Sequence, residues 1–488
     1  MARPELWWSE DRELDARVQK IGDRMSDMAL PDHRTSQSAI DKGLIRDVFQ
    51  DMWDLDPMWM FLPEDLGGAA GRSWESLATL DMLGYHHLPM TLATALNGAL
   101  FLLPITAFAE EGVSRPILER FAGDKVTLGG MMMTEPSCGT DLFAATTHLD
   151  REGGTTRIRG RKHWSGLTGN ADYWLIFARD DAARRSSRLG FYVADAGQGH
   201  PSFQVEEYYS AHGLAPIPYG RTRLDVEIPD GRLIGQGMRY PGVVSGILYG
   251  SRLVFAGMTH GFLRRIFDDA TAHCQDRRAF GACLSDFDQV NARLETIHAY
   301  ECLTRAACLR VVAEHPELIA PADPARTEST LIKAITTDLA FRAAEHLTVL
   351  RGGDGYRPGS LGFGGMADCH PFRIFEGPND VLFDQVARDY VGSSEESTLG
   401  GLLTEQGMPT VDGPLRELMD RPICTESQRV MVAIGRMIGI VSLWRWALDS
   451  PDTFEPDELA LVRDVCEEEL AGECARLLHR QHSGTRSG

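Results

Sequence analysis

The sequence predicts a mostly α-helical fold with a β domain at its centre, closed by a helical bundle and a further helical extension. Three observations point there. Apolar residues recur at helical spacing through the first ~120 residues. Short β-prone segments separated by Gly, Asp and Asn fill the stretch from about 125 to 240. Long helical patterns return after 242 and resume, beyond a linker at about 395, as two or three further helices. The expected division is an N-terminal helical domain (1–124), a β-barrel or sandwich middle domain (125–241), a four-helix bundle (242–394) and a helical extension (395–488).

Between Asp11 and Met28, the residues Leu14, Val18, Ile21, Met25 and Met28 share one helical face. Residues 36–54 read as a second such helix, and FLPEDLGGAAG (61–71) as a Pro/Gly-punctuated loop. The uncharged stretch 88–109 is long enough to cross a bilayer. Asn97 and the prolines interrupt it, and Pro104 is expected to break a continuous helix. Two buried helices and no membrane span follow. The segments TTRIRGRKHW, YWLIFAR, RLGFYVAD, SFQVEEYY and RTRLDVEIP read as strands of a small antiparallel barrel or sandwich. Helical patterns at 244–275, 286–314, 326–350 and 377–391 suggest an antiparallel bundle, with PELIAPADPAR (316–326) as a connection inside it. Beyond a Gly/Ser/Glu-rich linker, Ile434, Met437, Val441, Trp444 and Leu448 form one apolar stripe. The tail SGTRSG is expected to be disordered.

A net charge of −21 repels phosphate backbones, so nucleic acid is disfavoured as a partner. The nine cysteines form no CxxC pair, and the start MARPELWWSEDRELDAR lacks the apolar run of a signal peptide. Reduced thiols in the cytoplasm are the expectation. His86–His87 and the other histidines show no metal-ligand spacing, so no metal is expected.

Six segments carry the chemistry, in this order: FLPEDLGG (61–68), MTEPSCGTD (133–141), GRKHWSGLTGNADYWLIFAR (160–179), RRAFGACL (277–284), RGGDGY (351–356) and FRIFEGPND (372–380). A polar, glycine-bearing loop after an apolar run presents backbone N–H groups to phosphates. A carboxylate beside an acidic C–H is a general base. Together the segments resemble the acyl-CoA dehydrogenase family from about residue 10 to 392, and FRIFEGPND is most like the very-long-chain branch.

The resemblance implies an FAD-dependent α,β-dehydrogenation of an acyl thioester, carried on CoA or on a carrier protein. Glu376 would abstract the α-proton, and hydride would pass to flavin N5. An electron-transfer flavoprotein is the implied acceptor, and a homodimer or homotetramer the implied assembly. Implied cofactor-binding positions are Met131, Met133, Thr134, Gly139, Thr140, Trp164, Ser165, Gly166, Arg277, Phe280, Asp288, Gly352, Gly353, Pro378, Asn379 and Asp380. Thr140, Tyr249, Arg252 and Gly377 fall at substrate-facing positions, and Gly246 and Gly250 would leave room for an acyl chain.

The chain departs from the family pattern at three points. Gly166 stands where a Thr or Ser is usual, Asp288 replaces a Gln, and Pro378 replaces a threonine. Thr168 is a candidate to compensate for the missing hydroxyl at 166. The family's alternative base position, on an earlier helix, holds Ser251 ahead of Arg252, which leaves Glu376 as the base. Two other classes stay open: a flavin oxidase or oxygenase on the same fold, and a non-catalytic assembly or binding protein derived from it.

Overall fold

The computed structural model describes residues 6–30, 43–152, 155–182, 188–197, 200–319, 326–357, 359–394, 398–405 and 423–483. The expected tail, much of the linker after 395 and the start of the second expected helix lie outside these residues. The described parts of Trp8–Val254 and His315–Pro324 form one compact unit; those of Phe255–Glu314 and Ala325–Gly488 form the other.

The first unit opens with helices. α1 (Arg12–Asp27) is capped by Asp11, whose carboxylate accepts from the N–H groups of Glu13 and Leu14, and it buries Leu14, Val18, Ile21 and Met25. α2 (Leu44–Met52), α3 (Ser73–His86) and α4 (Leu88–Asn97) follow. The expectation of a break at Pro104 is corrected here. A π turn, Gly98–Leu102, joins α4 to α5 (Leu103–Phe108), and the chain stays helical from Leu88 to Phe108. The Leu103 N–H donates to the Gly98 carbonyl one residue beyond the α pattern. Pro104 thus falls in the first turn of α5, where its missing N–H breaks no bond. This helix and Gln428–Leu448 are long and apolar enough to cross a membrane, yet 94% and 78% of their most apolar 18-residue stretches are buried inside the protein. α6 (Glu111–Phe121) leads to the sheet.

Seven strands form one sheet: β1 (Gly129–Met132), β2 (His148–Glu152), β3 (Thr155–His163), β4 (Tyr173–Arg179), β5 (Leu189–Asp195), β6 (Phe203–Tyr208) and β7 (Gly220–Ile228). The order is β1-β4-β2-β3-β7-β6, with β5 also paired to β4. The sheet is mixed rather than antiparallel, because β1 and β2 run parallel to β4. β4 explains the difference. Its residues Tyr173–Ala178 are all buried, as a strand covered on both faces requires. β7, by contrast, alternates buried and exposed positions along its length. α7 (Tyr240–Leu253) completes this unit.

The second unit is the bundle: α8 (Phe255–Asp276), a short hairpin of β8 (Arg278–Ala279) and β9 (Ala282–Cys283), α9 (Asp288–Glu314), α10 (Arg326–Arg351), α11 (Phe363–Cys369) and α12 (Asn379–Ser393). α13 (Leu399–Glu405), α14 (Gln428–Leu448) and α15 (Pro456–Ser483) belong to it as well. α14 turns its stripe inward, burying Ile434, Met437, Val441 and Trp444 while Leu448 stays exposed. Polar ties add to this. Glu469 of α15 accepts from the Tyr300 hydroxyl at 2.5 Å and from Arg342. Glu458 accepts from Arg305 at 2.7 Å, inside a group where His298, Glu301, Cys302 and Glu458 bring ligand-type atoms within 4.8 Å of one another. Arg305 supplies the positive charge to that group, since its guanidinium also lies 3.7 Å from Glu301.

Close approach of α14 to α12 rests on Gly435, where a Cβ would overlap the Phe383 carbonyl. Gly435→Ala is expected to cost about 1–3 kcal/mol in denaturant unfolding, because backbone must shift to admit the methyl. Gly472→Ala is the control: a Cβ there meets nothing within 4 Å. It should be neutral or slightly stabilising.

Candidate active site

In the first unit, the chemistry-bearing loop leaves β1. Alternation along a strand sends neighbouring side chains to opposite faces. Met132 is accordingly buried, while Met131 and Met133 are half-exposed. The chain then folds back on itself, with Glu135 and Cys138 exchanging both backbone hydrogen bonds at 2.9 and 3.0 Å. Gly139 and Thr140 follow that turn and are exposed, and a Cβ at Gly139 would meet nothing within 4 Å.

An ion pair with no exposure on either side chain holds this loop down. Lys162 Nζ lies 2.9 Å from Glu135 Oε1 and donates at 3.1 Å to the Met133 carbonyl. The Glu135 carboxylate also accepts from the Thr146 N–H, the Thr146 hydroxyl and the Thr147 N–H, at 2.7, 2.7 and 3.1 Å. Burial opposes the charge on Glu135. Lys162 and the Thr146 bonds outweigh it and hold the carboxyl down at about 2. Burial lowers the Lys162 ammonium from its ordinary value, with Glu135 pushing back. This pair was missed in the sequence. Its signal is a lysine at an inward position of β3 and a glutamate inside an otherwise uncharged turn.

Trp164 follows β3 directly and adopts a left-handed backbone, φ +54°. Its indole is 49% exposed and packs against Tyr209 at 4.7 Å and Tyr219 at 5.9 Å between ring centres. His163 Nδ1 lies 2.7 Å from the Tyr209 hydroxyl. Burial, then the charge of Arg221, pulls His163 below the usual imidazole range. Ser165 is buried, and its hydroxyl has no hydrogen-bond partner among the described residues. That orphaned donor next to an exposed indole fits a loop built to receive a polar, planar group.

A Cβ at Gly166 would lie 2.6 Å from Leu96 Cδ1, the end of a half-buried side chain of α4 that can turn aside, so packing alone does not require glycine here. Thr168 does not compensate for the missing hydroxyl, because it is fully buried and donates at 2.6 Å to the Ser165 carbonyl. Two substrate expectations are also corrected. Tyr249 is buried with its hydroxyl 2.9 Å from His315 Nδ1, so it faces the protein interior. Gly250 leaves no room for a chain, since the Leu318 carbonyl fills the place of its Cβ. The remaining gap, lined by Ala99, Leu103, Gly246 and Leu318, is only about 10 Å³. Arg252 is half-buried on the same helix, and Ser251 is buried.

In the second unit, Glu376 sits on a strained turn. Its φ is +56°, that of Gly377 is +102°, and Pro378 then caps α12. Below the turn lies Lys333 of α10, which has no exposed surface. Its ammonium donates to the Gly377 carbonyl at 2.8 Å and to Asn379 Oδ1 at 3.0 Å. Asn379 Nδ2 donates onward to the Ala334 carbonyl and the Thr337 hydroxyl, at 2.9 and 3.0 Å. Asn379, expected at the cofactor, is instead a buried strut of the turn, because its amide is engaged on both sides. On the other flank Phe372 and Phe375 pack with Phe255, and Arg373 pairs with Asp338 at 2.9 Å. Glu376 itself is half-buried. Lys333 was missed too; its signal is that it is the one lysine of α10 and stands between the apolar pairs Leu331–Ile332 and Ala334–Ile335.

The other expected positions are scattered over this unit's surface. Arg277 is exposed at the end of α8. Phe280 is fully exposed at φ +52° on the β8–β9 hairpin. Asp288 is exposed in the first turn of α9, where the helix dipole favours a carboxylate. Gly352 has φ +59° after α10, and a Cβ at Gly353 would meet nothing within 4 Å. The Asp380 side chain points outward, 3.2 Å from Arg436.

Two measurements check these local arguments. Glu135 is depressed from 4.5 to about 2 in the folded chain, so its contribution is full above pH 4.5 and is lost as pH falls towards 2. Wild type should therefore lose on the order of 3 kcal/mol through that window, and Glu135→Gln should show a flatter acid limb together with lower stability at pH 7. Gly166→Ser is expected to change stability by less than about 1 kcal/mol in denaturant unfolding, because the one atom in its way is the Leu96 methyl, which can turn aside.

Comparison with known proteins places this geometry. Residues 130–226 match the family model "Acyl-CoA dehydrogenase, middle domain", and residues 235–391 match "Acyl-CoA dehydrogenase, C-terminal domain". The human very long-chain specific acyl-CoA dehydrogenase is 22% identical over 346 residues, covering 68% of this chain and 51% of its own length. This chain thus spans about half the length of its very-long-chain relatives. Cyclohex-1-ene-1-carbonyl-CoA dehydrogenase of Geobacter metallireducens is 26% identical, covering 69% of this chain and 86% of its own. Among solved structures, an acyl-CoA dehydrogenase from Bacillus anthracis shares the fold with a TM-score of 0.74 at 16% identity, over 96% of this chain and 88% of that one. Matched in both its sheet and its bundle, the chain belongs to the acyl-CoA dehydrogenase family.

Proposed function

We propose that this protein is an FAD-dependent dehydrogenase of acyl thioesters and that Glu376 is its base. One observation carries the reading: a half-buried carboxylate stands on a left-handed turn that a buried ammonium clamps from below. Strain of that kind costs about 1–3 kcal/mol and persists where surrounding contacts over-determine it, as they do at reacting groups.

FAD, when bound, supplies the acceptor for the hydride leaving the β-carbon. The chain's own residues do the rest. Glu376 takes the α-proton, and its backbone N–H polarises the thioester carbonyl so that charge on that oxygen is stabilised. Lys333 fixes the carbonyl of Gly377 and the amide of Asn379, which sets the direction of the Glu376 side chain. Trp164, Ser165, Met133 and Thr134 hold the cofactor ring, with Lys162 keeping their loop in place. The assembly is a homodimer or homotetramer of this chain. The substrate is CoA- or carrier-bound, the acceptor an electron-transfer flavoprotein, and the compartment the cytoplasm, in keeping with nine free cysteines.

The test is anaerobic mixing of FAD-loaded protein with a panel of acyl-CoA thioesters, followed at the flavin band. A matching thioester should bleach it. Glu376→Gln should keep FAD and slow bleaching by about 10²–10⁴-fold. Lys333→Met should slow it less, while leaving bound FAD unchanged. Absence of bleaching by every thioester, or rapid peroxide formation in air, would overturn the dehydrogenase reading.

A further inference from the structure

We propose a structural zinc site in the bundle unit, held by His298, Glu301, Cys302 and Glu458, that fastens the C-terminal extension to α9. It is independent of the dehydrogenase reading and of every residue placed at the cofactor. It departs from the expectation of no metal, because paired cysteines or paired histidines are not its signal. His298 and Cys302 stand four residues apart on α9 with Glu301 between them, so the three reach one side of the helix. Glu458 comes from the first turn of α15.

The spacings suit a tetrahedral ion. His298 Nε2 lies 3.4 Å from Glu458 Oε1 and 4.0 Å from Glu301 Oε2. Cys302 Sγ lies 3.6 Å from Glu301 Oε2 and 3.8 Å from Glu458 Oε1, and the ligand atoms all stay within 4.8 Å of one another. Zinc bonds of about 2.0–2.3 Å set tetrahedral ligands about 3.3–3.8 Å apart. Each carboxylate is also aimed. The second oxygen of Glu301 faces His260 Nε2 at 2.8 Å, and that of Glu458 accepts from the Glu455 N–H at 2.9 Å. The His298 ring lies flat on Phe267, 4.4 Å between centres. Glu301 and Cys302 are buried, while the side chains of His298 and Glu458 keep 12% and 11% exposure, which gives an ion a way in.

Arg305 borders the group without filling it. Its Nη2 is 2.7 Å from Glu458 Oε1, 3.2 Å from Cys302 Sγ and 3.7 Å from Glu301 Oε2. A point at those distances on the inner side of these three atoms would collide with His298 Nε2, so the guanidinium stands on the outer side. Phe454 holds it there, its ring centre 4.5 Å from Cζ. From that place Arg305 donates to sulfur and carboxylate, as outer donors to zinc ligands do. Charge points the same way. Cys302 gives its thiol proton to solvent when the ion binds, so two carboxylates and a thiolate carry three negative charges. Arg305 returns one, and a divalent cation balances the rest. Imidazole, thiolate and carboxylate together suit zinc.

Chelator-treated full-length protein provides the test. Cobalt(II) should bind in about a one-to-one ratio and give the thiolate-to-cobalt charge-transfer band of a tetrahedral site. Zinc should displace it and raise the unfolding temperature. Cys302→Ser should abolish the band, whereas Cys424→Ser, at an exposed cysteine, should keep it. His298→Gln should weaken cobalt binding more than about tenfold. It is also the second variant should the serine disturb folding, which circular dichroism would reveal. A wild-type titration without the band overturns the site. So does a band that survives in folded Cys302→Ser or stays as tight in folded His298→Gln, and so does zinc that fails to displace cobalt or to stabilise the fold.

Discussion

Two ammonium groups without exposed surface, Lys162 and Lys333, hold the loops on which the chemistry depends. A buried amine cannot be left without acceptors, and each of these finds a loop carbonyl as one of them: Met133 for Lys162 and Gly377 for Lys333. The second acceptor is a side chain from the same loop, Glu135 in one case and Asn379 in the other. The consequence is backbone strain that lasts. Trp164 beside the first loop and Glu376 within the second both keep a left-handed φ that bulky residues rarely adopt.

The same physics explains why small residues here are not ligand space. Gly250 admits the Leu318 carbonyl, and Gly435 admits that of Phe383, each letting backbone approach at a place where a methyl would collide. Close packing leaves few gaps.

Much of the architecture was legible because it follows from period. The 3.6-residue stripe of α1 and the inward stripe of α14 bury the residues that spacing selects. The β-prone segments became strands β3 to β7 at nearly their expected limits. Period says nothing of partner choice, however. A mixed sheet, a π turn that lets the chain continue past Pro104, and an α14 stripe packed within its own unit all depend on which surfaces meet.

For the site, the motifs put Glu376, Trp164 and the MTEPSCGTD loop on the page, since their order and residue types belong to a family pattern. Conformation was hidden: nothing local announces that Trp164, Phe280 and Glu376 share positive φ, or that Asn379 and Tyr249 turn inward. The sequence alone determined the helical and strand periods, the acidic surface and the family. Tertiary structure decided which lysines are buried, which glycines are filled and where strain is held. Those outcomes come from contacts between residues tens to hundreds of positions apart, and no local pattern encodes them.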